Sequence, residues 1–382
     1  MEKRFDLVLL GATGFTGQLI ARYIAQHIAG EGVTSWAIAG RNEQKLLQVK
    51  ASLSGTLPEI VMANVEDMAS LTALSAQTRV LMNAVGPFNW SWRKVVEACV
   101  QTGTHYADIT GEPSFVADVF QTFDEKARAQ GVCVVNCCGF DSIPADYAAW
   151  ITARSLPADL PKKVQAFVRT NAHFSGGTLT TAIHALYMES KGISIKTRIP
   201  RHPDAPAMKR RIHFSPVVNA WAIPMPVVDP HIVKRSAWRM PADYGAAFSY
   251  AQYFVRSSWW KVVKTVFPIA IAMVLVRFEW FRERMFRKYA SGTGPDANQR
   301  AAARFEVTCE GSAGNHTVRT VMSGGDPGYD ETAKMFSQAA FCLLKMPPGQ
   351  QGGVLTPVEA FGEHLENRLK QEGIQINSLQ SW

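Results

Sequence analysis

The chain has 382 residues, 47% of them apolar, enough to bury one large core or two of ordinary size, and two domains are expected. Lys and Arg number 40 against 32 Asp and Glu, leaving a net charge of +8 whose surplus gathers in 191–211 and 277–288; this reads as solvated surface and argues against nucleic acid as a partner. The opening Met1-Glu2-Lys3-Arg4-Phe5-Asp6 lacks the apolar region and cleavage site of a secretory leader, which predicts a cytoplasmic protein.

In chain order, Leu7 to Leu10 predicts a short buried strand, and Leu19, Ile20, Tyr23, Ile24 and Ile28 recur at helical spacing. Ser35 to Ala39 predicts a second strand, and Asn42 a cap for a helix carrying Leu46, Leu47 and Val49. Further strands are expected at Glu59 to Ala63, Val80 to Ala84, Tyr106 to Ile109 and Val132 to Asn136, with helical patterns between them. Strands alternating with helices predict an α/β fold, a Rossmann-type doubly wound parallel sheet covered on both faces. The six cysteines, at 99, 133, 137, 138, 309 and 342, show no CxxC pair or zinc-ligand spacing and read as small core hydrophobes. Cys137 and Cys138 point to opposite faces of a strand, so no metal site is expected there.

The turn after the first strand is Gly11-Ala12-Thr13-Gly14-Phe15-Thr16-Gly17, in the strand-to-helix context that a dinucleotide pyrophosphate requires. Gly11 permits the tight turn, Gly14 lets the backbone approach the anion, Gly17 lets helix and strand pack closely, and Thr13 and Thr16 offer hydroxyl donors. The end of the second strand carries Ala39-Gly40-Arg41-Asn42 with no carboxylate before Glu43, so Arg41 is expected on a 2′-phosphate and the cofactor is expected to be NADP(H). Asn64 falls where an adenine would lie, and Val85, Gly86 and Pro87 on the nicotinamide side. The loops 108–112 and 138–146 share that edge of the sheet.

Mixed signals from 151 to 326 predict a second, α+β domain: strands at Val164 to Arg169 and Arg304 to Glu310, and a helix from Leu179 to Glu189. The prolines from 200 to 241 read as an irregular, lid-like stretch, and two closing helices are expected at Glu331 to Lys345 and Pro357 to Glu372. The segment 257–288 holds an apolar run, Val266 to Val276, too short to span a bilayer, between Trp259, Trp260, Lys261 and Lys264 on one side and Arg277, Trp280, Phe281, Arg282 and Arg284 on the other. It reads either as a core helix or substrate wall, kinked at Pro268, or as a peripheral membrane contact, which would hold the protein at the inner face of the plasma membrane.

The set GATGFTG, AGR, NAVGPF, YADITGE, GFDSIPAD, GDPGY at 325–329 and GGVLTP at 352–357 resembles the saccharopine dehydrogenase-like oxidoreductases, most closely their trans-acting enoyl reductase subgroup. Asn64, Phe88 and Ala145 depart from the family's usual Asp, Tyr and Ser. The resemblance implies a Rossmann domain at 1–146, an α+β substrate domain at 147–326, and C-terminal helices at 327–382 returning to the first domain. It also implies an NADP-dependent reduction of a carbon–carbon double bond in a hydrophobic acyl or polyketide-derived lipid. Such chemistry needs a proton donor, and no Tyr-x-x-x-Lys pair is evident in the first domain. Asp141 and Tyr187 are the catalytic candidates by position, ahead of Ser142, Glu112 and His184. A non-catalytic NADP(H)-binding lipid adaptor and a saccharopine-type imine reductase are the alternative functions.

Overall fold

A computed structural model describes residues 3–86, 93–172, 187, 199–225, 227–288, 294–347 and 352–381. The first stretch alternates β1 (Phe5–Leu10), α1 (Phe15–His27), β2 (Trp36–Gly40), α2 (Glu43–Ala51), β3 (Glu59–Met62), α3 (Met68–Ala76), β4 (Thr78–Asn83), α4 (Arg93–Thr102), β5 (His105–Asp108), α5 (Pro113–Ala129), β6 (Cys133–Val135) and α6 (Ile143–Arg154). Next come β7 (Lys162–Thr170), β8 (His213–Ser215), β9 (Ala220–Pro224), α7 (Asp229–Arg239), α8 (Pro241–Tyr244), β10 (Phe248–Arg256), α9 (Trp259–Leu275) and α10 (Glu279–Lys288). The chain closes with α11 (Ala297–Ala302), β11 (Phe305–Ala313), β12 (His316–Gly324), α12 (Asp330–Leu344), β13 (Gly353–Leu355), α13 (Pro357–Gln371) and β14 (Gln375–Ser381).

Two seven-stranded sheets organise these elements. The first runs β13-β6-β5-β4-β1-β2-β3, parallel throughout. It is the doubly wound sheet that the alternation predicts, and the apolar run of β1 explains its double cover. Leu7 and Leu9 enter one core while Val8 and Leu10 enter the other, because side chains alternate across a pleat. The second sheet runs β14-β12-β11-β7-β10-β9-β8 and is mixed, with β7 and β10 parallel and the other pairs antiparallel.

One continuous core joins the sheets. It takes Leu7, Leu9 and Ile38 from the first, Val164, Ala166 and Val307 from the second, and Ala148, Phe336 and Leu365 from helices between them. Helix α6 lies at its centre, which is why nearly every residue from Ile143 to Ala153 is buried. The C-terminal stretch serves both sheets, since β13 pairs with β6 and β14 with β12. All six cysteines are free and buried, as their spacing suggested. Cys137 and Cys138 enter opposite cores, although both lie beyond the end of β6 and Cys137 has a left-handed backbone, φ 61°.

Three expectations change. The stretch from 200 to 241 is not simply irregular, because Pro230 and Pro241 occupy the first turns of α7 and α8, where a missing N–H costs nothing. Helix α9 continues through Pro268 without a break; the Lys264 carbonyl that proline cannot serve lies on an exposed turn. Nor is α9, the apolar part of 257–288, a core helix, for within it Val262 alone is buried. The expected helix Leu179 to Glu189 lies outside the described residues except for Tyr187, which is helical.

Candidate functional site

The sheet reverses its winding between β1 and β4, and loops leaving the carboxyl ends of its strands meet at a crevice there. Gly11 begins the turn after β1 with its N–H donating to the Ala39 carbonyl at 3.0 Å. Its φ is +93°, and a Cβ at that position would fall 2.6 Å from Val85 Cγ2, so glycine is required twice over. A Cβ on Gly17 would fall 2.1 Å from the Gly11 carbonyl oxygen, which presses α1 directly onto the turn. Around Gly14 the nearest such contact is 3.5 Å away, so the outer side of the turn stays open. Helix α1 starts there with no side-chain cap and no acid in its first turn, leaving N–H groups without partners among the described residues and a positive dipole end for an anion.

The next two loops flank this turn. Asn42 accepts from the Lys45 N–H at 3.0 Å and caps α2, while Arg41 beside it is exposed with no ion-pair partner among the described residues. Asn64, beyond β3, is exposed; its Oδ1 accepts from the Glu66 N–H and its own N–H donates to Ser70 Oγ, each at 3.1 Å. Val85 is held by its N–H donating to Asn83 Oδ1 at 3.1 Å, and Gly86 is exposed; Pro87 lies outside the described residues.

A buried polar chain underlies the loops after β5 and β6. Asn83 Nδ2 donates to the Tyr106 hydroxyl at 3.1 Å, and that hydroxyl donates to Asp108 at 3.0 Å. Asp108 also accepts from Asn136 Nδ2 and from the N–H groups of Thr110 and Cys137. Burial nevertheless pushes its pKa up to about 6, against the pull of those donors. The bonds to Thr110 and Cys137 fix both loops, including the left-handed turn at Cys137.

Those loops converge at Asp141, whose Oδ2 would stand 3.1 Å from a Cβ on Gly111. Asp141 is exposed as a residue although protein crowds around its carboxyl. Desolvation, then repulsion from Asp229, raises its pKa. Asp229 is buried at the start of α7, accepting from Ser142 Oγ at 3.0 Å and from Gln252 Nε2; Gln252 in turn accepts from the Tyr250 hydroxyl at 2.7 Å. Burial raises the Asp229 pKa as well, while those two donors oppose the rise. The arrangement is an exposed aspartate backed by a second, buried carboxyl that penalises its ionisation, suited to holding a proton near neutrality.

The other wall comes from the C-terminal part. Phe15, inside the glycine turn, packs edge-on against Tyr329 with centroids 5.0 Å apart, and the Arg300 guanidinium lies 5.8 Å from its ring. The GDPGY stretch caps α12: Asp326 accepts from the N–H groups of Tyr329 and Asp330, and Thr332 Oγ1 accepts from the Phe140 N–H at 3.1 Å.

Residues 7–135 match the family model described as saccharopine dehydrogenase NADP binding domain. A saccharopine dehydrogenase-like oxidoreductase of Bos taurus is 30% identical over all of this chain and 98% of its own length. The chain belongs to the saccharopine dehydrogenase-like oxidoreductase family. A Mycobacterium tuberculosis family relative named as a candidate trans-acting enoyl reductase is 29% identical over 98% of each chain, and a lipid droplet localized protein of Caenorhabditis elegans is 28% identical over 94% of each. The solved apo saccharopine dehydrogenase (L-Glu forming) of Saccharomyces cerevisiae has the same fold, with TM-score 0.55 at 12% identity over 99% of this chain and 100% of its own. This is therefore an oxidoreductase with an NADP(H)-binding Rossmann domain, as the sequence motifs imply.

Residues 11–17, Arg41, Asn64, Val85 and Gly86 all lie on the strand-end side of the first sheet, and Asp141 lies on the same side. Tyr187 has a different setting, with its ring 4.2 Å from the Arg282 guanidinium of α10; His184 is outside the described residues. Sequence reading missed Asp229, Gln252 and Tyr250 altogether. The Asp229-Pro230 pair marks a helix start, but nothing local to it signals Asp141, which is remote in sequence.

Proposed function

We propose that the protein reduces a carbon–carbon double bond conjugated to a carbonyl in a hydrophobic acyl chain, with NADPH held by the turn 11–17 and its 2′-phosphate by Arg41. The open side of Gly14, the uncapped start of α1 and an exposed Arg41 with no ion-pair partner among the described residues support that assignment. Asn64 flanks the adenine, and Val85 and Gly86 the nicotinamide. When bound, NADPH supplies the hydride. Asp141 holds the proton delivered to the carbon next to the carbonyl, and Asp229 keeps that proton in place near neutral pH by repelling the ionised form. The placement of an exposed Asp141 at the strand-end side of the first sheet, with the buried Asp229 behind it, is the observation that carries the reading.

The double-bond substrate is favoured by the name of the mycobacterial relative, and a lipid source for it by the name of the nematode one. Peripheral contact of 257–288 with a lipid surface would bring the enzyme to such a chain. The test is NADPH consumption on adding α,β-unsaturated acyl thioesters of increasing chain length. Turnover rising with chain length supports the reading. Tight NADPH binding without consumption across the panel overturns it in favour of a non-catalytic binding protein.

A further inference from the structure

We propose that the protein docks on anionic lipid surfaces through one composite face, with α9 lying flat among the outermost acyl segments and Lys209, Arg210 and Arg211 against the headgroups. This rests on the peripheral contact proposed above and gives it a face, an orientation and a lipid charge.

Exposed apolar surface is concentrated in one place. Of the sixteen large hydrophobic side chains exposed among the described residues, ten fall between Trp259 and Trp280: Trp259, Trp260, Val263, Phe267, Ile269, Ile271, Met273, Val274, Phe278 and Trp280. Of the remaining six, Phe214 joins this face through Trp221, and Leu47, Leu57, Met62, Trp238 and Leu379 lie on other parts of the chain. All residues from Phe267 to Ile271 are exposed, and at about 100° per residue five in succession go more than once around the helix. A folded partner would cover one side of such a helix and leave the rest wet. Acyl chains cover every side.

Charge placement sets the orientation. The apolar run Val266 to Val276 falls short of the roughly 20 residues needed to cross a bilayer, and no helix among the described residues is long and apolar enough to do so. Lys261 and Lys264 stand at one end, Arg277 and Arg284 at the other, and 257–288 holds seven Lys and Arg against two Glu. An upright helix would bury one charged end in hydrocarbon. A flat one keeps both ends at headgroup level, with Trp259, Trp260 and Trp280 at the boundary such rings favour.

The helix is anchored so that this face extends onto the second sheet. Trp259 packs on Trp221 of β9 with centroids 4.9 Å apart, and Arg256 Nε donates to Thr265 Oγ1 at 2.9 Å. Trp221 meets Phe214 of the edge strand β8 at 5.9 Å, and Phe214 is 47% exposed. The exposed run Lys209-Arg210-Arg211 leads into that strand. An aromatic row thus links α9 to a basic edge, which suits a surface with acyl chains below and phosphates above.

Flotation of the full-length protein with phosphatidylcholine vesicles, with and without phosphatidylglycerol, tests the proposal. Phe267→Ser/Ile271→Ser/Val274→Ser and Lys209→Gln/Arg210→Gln/Arg211→Gln are compared with wild type, with unchanged NADPH affinity as the check on folding. Wild type floats, preferring phosphatidylglycerol. The serine variant loses on the order of a hundredfold in partitioning on both vesicle types, and the glutamine variant loses the phosphatidylglycerol preference by on the order of tenfold. No flotation of wild type overturns the peripheral contact itself. Flotation unchanged in the serine variant overturns the role of α9 while that contact stands. A lipid-free dimer that the serine variant converts to monomer, without flotation of either, overturns the proposal and makes a second copy the occupant.

Discussion

The ring of Phe15 meets the ring of Tyr329 edge to face, 5.0 Å between centroids and 87° between planes, so the glycine turn is braced by a residue near the other end of the chain. Edge-to-face pairs contribute roughly 0.5–1.5 kcal/mol beyond their area. A double-mutant cycle of Phe15→Leu and Tyr329→Leu, followed by urea denaturation, should return coupling of that size, and both single variants should weaken NADPH binding. Additive effects would show that the turn holds its shape without the brace.

Gly14 and Gly17 should fail in different ways. Gly14 has φ −72° and room for a methyl group, so Gly14→Ala should fold with near-normal stability yet bind NADPH at least tenfold more weakly, by order of magnitude, because the methyl occupies the open side of the turn. Gly17→Ala drives a Cβ onto the Gly11 carbonyl and should cost roughly 2 kcal/mol or more of stability. Thermal melts beside NADPH titrations separate the two; matching losses in both variants would contradict the assignment.

Arg41→Ala should weaken NADPH binding by on the order of tenfold to a hundredfold while leaving NADH binding nearly unchanged, since only NADPH carries the 2′-phosphate that a guanidinium can pair. Equal losses for both nucleotides would remove Arg41 from the phosphate.

Asp141 should set the alkaline limit of turnover. A proton donor works in its protonated form, so the rate falls as pH rises through its raised pKa. Asp141→Asn should lower turnover by roughly a hundredfold or more with NADPH affinity intact. Asp229→Asn removes the repulsion and lets the Asp141 pKa fall, so the alkaline limb should move to lower pH. A limb that stays in place would leave Asp229 with a structural role alone.

Asp146 governs stability rather than chemistry. It accepts from Ser236 Oγ at 2.7 Å and from the Val358 N–H at 3.1 Å, joining α6, α7 and α13, and burial pushes its pKa from 3.8 up to about 7. The folded state therefore keeps this proton where the unfolded chain has lost it. Stability from this group is greatest below the unfolded value, falls as pH rises, and reaches its full loss, at most roughly 4 kcal/mol, above the folded value. Urea titrations from acid to neutral pH should show that slope in wild type and a flatter one in Asp146→Asn. Parallel curves would contradict it.

What the sequence reveals here is local. The strand alternation, the glycine turn, the Asn42 cap and Arg41 each depend on neighbours within a few residues, so pattern alone locates them. The pairing of Asp141 with Asp229 depends on how α7 docks beside β10, and the bracing of Phe15 depends on where the chain returns after β12; neither leaves a local trace. Apolar content identified 257–288 as unusual but could not separate a core helix from an exposed one. That distinction belongs to the surroundings, and the structure leaves α9 almost bare.

The central claim is hydride transfer to a lipid-derived double bond, and the most direct measurement follows the hydrogen itself. The protein would be incubated with NADPH deuterated at C4 on its transferable face and an α,β-unsaturated acyl thioester, and the product read by mass spectrometry. The account predicts a saturated acyl product carrying deuterium at the β-carbon, with solvent hydrogen at the α-carbon. Recovery of the unsaturated thioester without deuterium, from protein shown to be saturated with the nucleotide, would contradict it.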